Sequence, residues 1–272
     1  MRIIDPSVEI ITESHPLRRI ELCGRVCYKS EARISSLSAG PFVERLIESG
    51  HTSVLEHARI IVPDSLLREI WTGRERPFSL PYGYWTRSGR AGCVGRAMNA
   101  RDFIAIQGKI DELRLCENAS DYMTARFICD RAIANELVRH RVFSFSQEST
   151  RYVNYKDGAD FIRPVPFEWA VHTKTTPEDF DPRWHAWYSA MEQSENCYLR
   201  LVRQGCPPQE ARSVLPLSTK TELVMTGTHE QWEGMLKLRL DRAAHPQMRH
   251  LMKLLATRPD FPAEIAVPEY EK

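Results

Sequence analysis

Strand-like and helix-like segments alternate along this chain, and that alternation limits the fold more than any other feature of the sequence. The runs 122–129 and 217–225 are rich in apolar residues and predict strands. Shorter strands are predicted at 3–4, 8–11, 59–62 and 161–165. Helices are predicted at 17–28, 42–49, 130–139 and 182–204. This order predicts an α/β fold with a central sheet flanked by helices.

Residues that favour helix ends locate several of these helices. Gly205 follows the segment 182–204, and Pro208 and Pro246 suit the first turns of two later helices. Thr228 with Gln231 three residues on resembles a capping box that opens another helix. One set of side chains in 182–204 recurs at helical spacing and predicts core or subunit interface rather than a cofactor site. This set comprises Trp184, Trp187, Tyr188, Met191, Tyr198 and Leu201.

The segment 63–120 lacks a clear hydrophobic period and contains several prolines and glycines. The composition of its middle predicts loops around one short helix near 99–107. We interpret it as an insertion or lid at about 63–120 within a single domain that covers 1–272.

Composition narrows the class of protein. The formal net charge is +1, so positive charge must be gathered locally if the chain binds phosphates. The seven cysteines are odd in number and form no CxxC pair, which favours a reducing compartment. Cys23 and Cys27 share one helix face and are predicted to be buried rather than a metal or redox pair. No signal peptide or membrane-spanning run is visible, so a soluble cytoplasmic protein is expected.

A basic cluster, Arg139-His140-Arg141, is the densest chemical signal in the sequence. Three adjacent basic groups repel one another, and guanidinium groups match phosphate oxygens in pairs, so the cluster suits a phosphate or pyrophosphate. Ser149 and Arg151 add donors a few residues later. The alternative is a solvated helix end whose cations favour the C-terminal dipole.

Other reactive residue types give weaker signals. His51, Glu56 and His57 have the spacing His-x4-Glu-His, which matches neither usual zinc-protease pattern, so no metal is predicted and His57 is interpreted as structural. Ser149 is expected to donate to a phosphate rather than act as a nucleophile, because no activating base can be placed. Cys129 is expected in the core.

The cluster belongs to a longer pattern. Arg-His-Arg, seven residues and then Ser, which here runs from Arg139 to Ser149, resembles the signature of flavin-dependent thymidylate synthases, and Arg151-Tyr152 also matches. Further segments resemble the same family in the same order, at 50–58, 211–217, 238–239 and 244–247. The resemblance extends from near Ile3 to about Met252 and is weakest at 63–120.

The resemblance implies a flavin-dependent thymidylate synthase-like fold, a homotetramer with shared active sites, and bound FAD. It implies methylation of dUMP at carbon 5 to give dTMP, with methylenetetrahydrofolate as one-carbon donor and NADPH as reductant. By position, flavin contacts are expected from His51, Ser53, Arg139, His140, Arg141, Gln147, Thr228 and Glu230. Nucleotide contacts are expected from Glu136, Arg139, Gln147, Glu148, Ser149, Thr150, Arg151, Arg212 and Arg239.

Arg239 is the predicted catalytic residue, against the uracil ring. Methylation at carbon 5 requires electron density there, and a cation that cannot deprotonate stabilises the negative charge delocalised into the ring. Taken alone, Arg239 would be interpreted as part of a surface ion pair.

Three positions depart from the family pattern. Thr228 and Glu230 stand where the family often has Asn and Arg in contact with flavin, and Gly234 replaces a further polar contact. These changes imply that flavin binds differently or more weakly here. Two alternative functions stay open: a carbon-5 methylase or hydroxymethylase of another pyrimidine nucleotide such as UMP, and a non-catalytic nucleotide- or RNA-binding protein.

Overall fold

The computed structural model describes residues 1–70, 84–87, 94–106, 108–165, 167–170 and 181–270. The strands are β1 (Arg2–Ile4), β2 (Ser7–Ile10), β3 (Arg59–Pro63), β4 (Tyr84–Arg87), β5 (Val94–Asn99), β6 (Glu117–Asn118), β7 (Tyr122–Asp130), β8 (Ser144–Gln147), β9 (Asp160–Ile162) and β10 (Lys220–Thr228). The helices are α1 (Pro16–Tyr28), α2 (Ala39–Glu48), α3 (Asp64–Ile70), α4 (Ala100–Ala105), α5 (Arg131–Leu137), α6 (Pro182–Arg203), α7 (Pro208–Ala211), α8 (His229–Arg239) and α9 (Pro246–Ala256).

A four-stranded antiparallel sheet in the order β2-β7-β10-β8 forms the centre of the fold. Side chains alternate between the two faces of β10. Leu223 and Met225 pack on one face in the core that includes α5, α8 and α9, whereas Val224 packs on the other face with Cys23 and Val26 of α1. Helices therefore cover both faces, which confirms the predicted central sheet flanked by helices.

A second antiparallel sheet, in the order β4-β5-β3-β6, packs with α1, α2 and α4. The prediction of loops around one short helix in the middle of 63–120 is therefore wrong for the described part, which contains β4 and β5, although the short helix is present as α4. The ends of the segment form α3 and β6. Gly95, one of the glycines of this segment, pairs with Pro63 in β3. A Cβ there would lie 2.8 Å from the Val62 carbonyl oxygen, so a close strand approach requires the glycine. The loops expected at 71–83 and 88–93 lie outside the described residues.

The remaining element predictions hold with shifted ends. The helix at 182–204 is α6, where Trp184, Met191 and Tyr198 are buried while Tyr188 is exposed, so much of the stripe faces the interior. The capping box is confirmed, since the Thr228 hydroxyl accepts from the Gln231 amide. The helix predicted to reach 139 ends at Leu137, so the basic cluster lies beyond it. Within the described ranges, no helix has the length and apolar character needed to cross a membrane.

Candidate active site

The basic cluster occupies the turn between α5 and β8. Asp130 caps α5 by accepting from the Ile133 amide at 2.7 Å, and the helix ends before Arg139. The Arg139 and Arg141 side chains are exposed and form no hydrogen bond or ion pair within the described part of the chain. Two unpaired guanidinium groups at the start of a strand are suited to bind an anion.

His140, Glu136 and Arg239 form one hydrogen-bonded group where the ends of α5 and α8 meet. Arg239 Nε donates to His140 Nε2 at 2.9 Å, and Arg239 Nη1 donates to Glu136 Oε2 at 3.0 Å. Because His140 accepts through Nε2, its imidazole is neutral and carries its proton on Nδ1. Burial, together with the charge of Arg239, lowers the pKa of His140 and favours that neutral form. The guanidinium plane of Arg239 is thus fixed from two sides.

A cleft of about 450 Å³, here called the Tyr28 cleft, collects a second set of predicted residues. Its lining residues include His51, Gln147, Ser149, Arg151, Tyr28 and Tyr152. The Tyr28 hydroxyl lies 2.6 Å from His51 Nδ1, and the Tyr28 and Tyr152 rings are 5.6 Å apart. The cleft therefore combines hydroxyl, amide and guanidinium donors with aromatic surface, a composition suited to a nucleotide. Tyr28 was missed in the sequence, because only the fold brings the end of α1 beside His51.

Glu148 and Thr150 lie in the same segment, but both are buried. Glu148 accepts from the Tyr155 hydroxyl and from Lys220 Nζ, each at 2.8 Å. The Thr150 hydroxyl accepts from Arg212 Nη1 at 3.2 Å, which brings Arg212 to this segment. The Glu148 carboxylate is thus hydrogen-bonded to groups inside the protein, and its contact with a nucleotide stays a prediction.

Lys220 belongs to a buried group of charges on the central sheet, here called the sheet charge cluster. It contacts Glu148 and Glu222, and Lys29 and Arg126 also pair with Glu222. Burial alone would raise the pKa of Glu222, but hydrogen bonds from Lys220, Lys29 and Arg126 hold it at about 2. This cluster fixes the start of the segment 148–151 to β10.

His57 lies in a buried chain of hydrogen-bonded groups that runs across β7, β10 and β8. This confirms the prediction that His57 is a structural histidine. Arg19 Nη1 donates to Thr124 Oγ1 at 3.0 Å, and Thr124 Oγ1 lies 2.8 Å from Thr226 Oγ1. His57 Nδ1 is 2.7 Å from Thr226 Oγ1, and its Nε2 is 2.9 Å from Ser146 Oγ. Arginine can only donate, so the Thr124 hydroxyl accepts from Arg19 and donates to the Thr226 hydroxyl. The Thr226 hydroxyl in turn donates to His57 Nδ1. His57 then carries its proton on Nε2, and burial lowers its pKa to about 3.

A cleft of about 520 Å³, here called the Arg141 cleft, lies at the start of β8 and the end of β10, where Ser144 and Thr226 line it. Predicted flavin residues Arg141 and Thr228 line it, together with Glu56, Arg59, Asn99, Arg101, Asp102, Ser144 and Gln231. Asn99, Arg101 and Asp102 come from the segment with the weakest family resemblance, so no sequence signal identified them. Thr226 lines this cleft and Ser146 the Tyr28 cleft, so the His57 chain links the walls of the two.

Ser53 and Glu230 are exposed, and neither they nor Arg139 line these two clefts. Their predicted ligand contacts stay predictions. Within the described ranges, no group of three or more His, Cys, Asp or Glu side chains is arranged to hold a metal ion.

A flavin dinucleotide needs donors for two phosphates and a surface for a flat ring system. The guanidinium groups of Arg101 and Arg141 supply such donors in the Arg141 cleft, with the Asn99 and Gln231 amides beside them. The residues present therefore fit the diphosphate of the group that the sequence resemblance implies.

By fold and by site, this is an α/β protein with two clefts whose linings include guanidinium groups suited to bind anions. The model of the thymidylate synthase complementing protein family matches residues 111–262. This match covers more than half of the chain, and the chain belongs to that family.

Three relatives illustrate the similarity. A probable flavin-dependent thymidylate synthase of Mycobacterium phage L5 is 32% identical over 145 residues, 50% of this chain and 57% of the relative. A flavin-dependent thymidylate synthase of Geobacter sulfurreducens is 32% identical over 157 residues, 57% of this chain and 63% of the relative. One of Mycobacterium bovis is 24% identical over 238 residues, 85% of this chain and 70% of the relative. The matched segments thus span only about three fifths of the first two relatives' own length.

Proposed function

We propose that this chain is a flavin-dependent methyltransferase that converts dUMP to dTMP, with methylenetetrahydrofolate as one-carbon donor and NADPH as reductant. Family membership and the names of the relatives support the flavin and the thymidylate product. The observation that carries the proposal is Arg239, a partly buried guanidinium held by His140 and Glu136 next to the unpaired Arg139 and Arg141.

In this proposal Arg239 stabilises negative charge in the pyrimidine ring. It stays protonated throughout, and its two hydrogen bonds keep it oriented before the substrate arrives, so no reorientation is needed as charge develops. His140 and Glu136 act through Arg239 and are positioning residues in this respect. Because His140 is neutral, it orients the guanidinium without adding a competing positive charge.

The nucleotide phosphate is assigned to Ser149, Arg151 and Arg212. Arg212 reaches this segment through Thr150, and Ser149 and Arg151 line the Tyr28 cleft, so the donors are placed near one another. Guanidinium and hydroxyl donors form charge-assisted hydrogen bonds with phosphate oxygens. A homotetramer with shared active sites and a cytoplasmic location are further parts of the proposal.

FAD, when bound, supplies the redox chemistry of the reductive methylation with electrons from NADPH. We assign its binding to His51, Ser53, Arg139, His140, Arg141, Gln147, Thr228 and Glu230. Thr228 also caps α8, so its hydroxyl is already engaged with the Gln231 amide. The backbone amides of Thr228 and His229 are engaged as well, so the exposed cations of the basic cluster are left for the cofactor.

The deciding experiment is an assay of the purified protein with methylenetetrahydrofolate, FAD and NADPH, with dUMP or UMP as acceptor. We expect a yellow protein that forms dTMP from dUMP, identified by the mass of the product. Product formed only from UMP, or carrying a hydroxymethyl group, would replace the dUMP proposal by the related methylase or hydroxymethylase. A colourless protein that ignores added FAD would overturn both.

A further inference from the structure

The Arg141 cleft contains a guanidinium that no family resemblance assigns to a ligand. We propose that Arg101, at the start of α4, is a phosphate-binding residue for the dinucleotide flavin cofactor. This inference rests on the proposed function, because the flavin is assigned to the cleft through Arg141 and Thr228, which share its lining with Arg101.

Arg101 is held in place by one hydrogen bond that leaves most of its donors free. Its Nη1 donates to Glu56 Oε1 at 2.5 Å, while the Ser144 hydroxyl donates to Glu56 Oε2 at 3.0 Å. Glu56 is therefore anchored to β8 and aims the guanidinium. A guanidinium has five N–H donors, and this contact uses one of them. About half of the Arg101 side chain is exposed, so the remaining donors are accessible to a ligand.

The position of Arg101 is fixed by local structure as well. Asn99 caps α4 by accepting from the Asp102 amide at 2.9 Å, and the Ala100 amide donates to the Ala58 carbonyl. These contacts tie the first turn of α4 to the end of the 3-10 helix Thr52–His57. Arg101 is thus carried by a backbone segment that is hydrogen-bonded to the same element as Glu56.

The charges around the cleft explain why this guanidinium is needed. Glu56 and Asp102 place two carboxylates on the wall of the cleft. An anionic ligand would be repelled unless cations offset these groups. Arg101 neutralises Glu56, and three guanidinium groups (Arg59, Arg101 and Arg141) line the cleft against two carboxylates, so the lining is attractive to phosphate.

The Arg101–Glu56 pair has little to contribute to stability in its own right. Half-exposed ion pairs of this kind contribute little to the free energy of unfolding. The effect of removing Arg101 is therefore expected in ligand binding rather than in the free energy of unfolding.

The test measures the FAD dissociation constant by flavin fluorescence for the wild-type chain, Arg101→Ala, Arg101→Lys and the control Arg45→Ala. Arg45 is an exposed arginine of α2 that lines neither cleft. Losing hydrogen bonds to a charged group should weaken FAD binding by roughly tenfold to a hundredfold in Arg101→Ala. The FAD dissociation constant of Arg101→Lys should lie between those of the wild type and Arg101→Ala, because lysine keeps the charge but not the paired donors of the guanidinium. Arg45→Ala should match the wild type.

NADPH also carries a diphosphate, so its dissociation constant is measured on the same variants. Weakened FAD binding with unchanged NADPH binding supports the inference. Unchanged FAD binding in Arg101→Ala overturns the inference, and so does weakened binding of NADPH alone. Equal weakening of FAD binding in Arg101→Ala and Arg45→Ala would show a non-specific charge effect, which also overturns it. If the wild-type chain itself fails to bind FAD, the proposed function fails instead. Melting temperatures of all variants confirm that each is folded.

Discussion

Two groups of charged residues border β8, and they differ in whether their charges are paired. The sheet charge cluster, defined by Lys29, Arg126, Glu148, Lys220 and Glu222, lies beyond one end of the strand with carboxylates matched to cations. The basic turn, Arg139–Arg141, precedes the other end and leaves two guanidinium groups without a protein partner in the described structure.

We expect the paired charges to stabilise the fold and the unpaired charges to act in ligand binding. A buried charge must be paired because its desolvation is unfavourable, whereas an exposed cation can stay unpaired with little effect on folding. The two groups should therefore respond in opposite ways to mutation: one through stability, the other through binding and activity.

The largest effect is expected from Lys220→Met. This change leaves Glu148 and Glu222 short of a partner in the interior, which should lower the free energy of unfolding by about 3–5 kcal/mol. Urea denaturation measures it, with the exposed Lys237→Met on α8 as a matched control. Equal stability of the two variants would show that the cluster does not depend on Lys220.

Arg239→Ala tests the opposite side of the comparison. Loss of a fixed charge at the reacting ring should reduce kcat for methylation by about 10²–10³-fold. Its unfolding midpoint should stay close to that of the wild type, because its partners Glu136 and His140 are only partly buried. Lys237→Ala, two residues earlier on the same helix, should retain activity. Full activity in Arg239→Ala would remove this residue from the mechanism.

The His57 chain, which lies between the two groups, gives a pH test. The folded-state pKa of about 3 lies below the ordinary value of 6.5, so the unfolded chain binds the proton first as pH falls. This contribution to stability is complete above pH 6.5 and is lost progressively towards pH 3, by up to about 1.4 kcal/mol per pH unit.

The measurement compares the free energy of unfolding of the wild type and His57→Gln between pH 7.5 and 5, both values chosen to be roughly one unit or more from the unfolded pKa. The wild type should become less stable with acid more steeply than the variant. Parallel curves would mean that His57 is not held neutral in the folded chain.

The smallest change in stability is expected from Arg139→Ala. Because its side chain is exposed and has no protein partner, the free energy of unfolding should change by no more than about 0.5 kcal/mol. Binding of the phosphate-bearing ligands should weaken in the same variant. A large loss of stability would show that the basic turn supports the fold and would remove the contrast with the sheet charge cluster.

Much of the central architecture could be predicted from the sequence. The strand at 122–129 and the helices opened by Pro182, Thr228 and Pro246 follow from local signals, because their apolar periods and end residues act within one segment. The second sheet could not be predicted in this way. Its strands β3 and β5 are more than thirty residues apart, and Gly95 signals a close approach only once β3 is paired with it and brings the Val62 carbonyl close to its Cα.

The site shows the same limit. The motif identified Arg139–Arg141 and the residues around Ser149, and the fold groups several of them along two clefts. It did not indicate that β8 lies inside the motif, or that Glu148 points into the core. Arg101 and Tyr28 carry no local signal either, since their positions depend on contacts with Glu56 and His51 from a distant segment.

The seven residues between Arg141 and Ser149 contain the whole of β8. The spacing within the motif is therefore set by the length of a strand. Strand pairing with β10 sets which side chains of β8 face the His57 chain, and a one-residue slip would turn every one of them to the opposite side. An insertion or deletion there would therefore disconnect both clefts at once. The length of the interval is as much a requirement of the site as the identity of its residues.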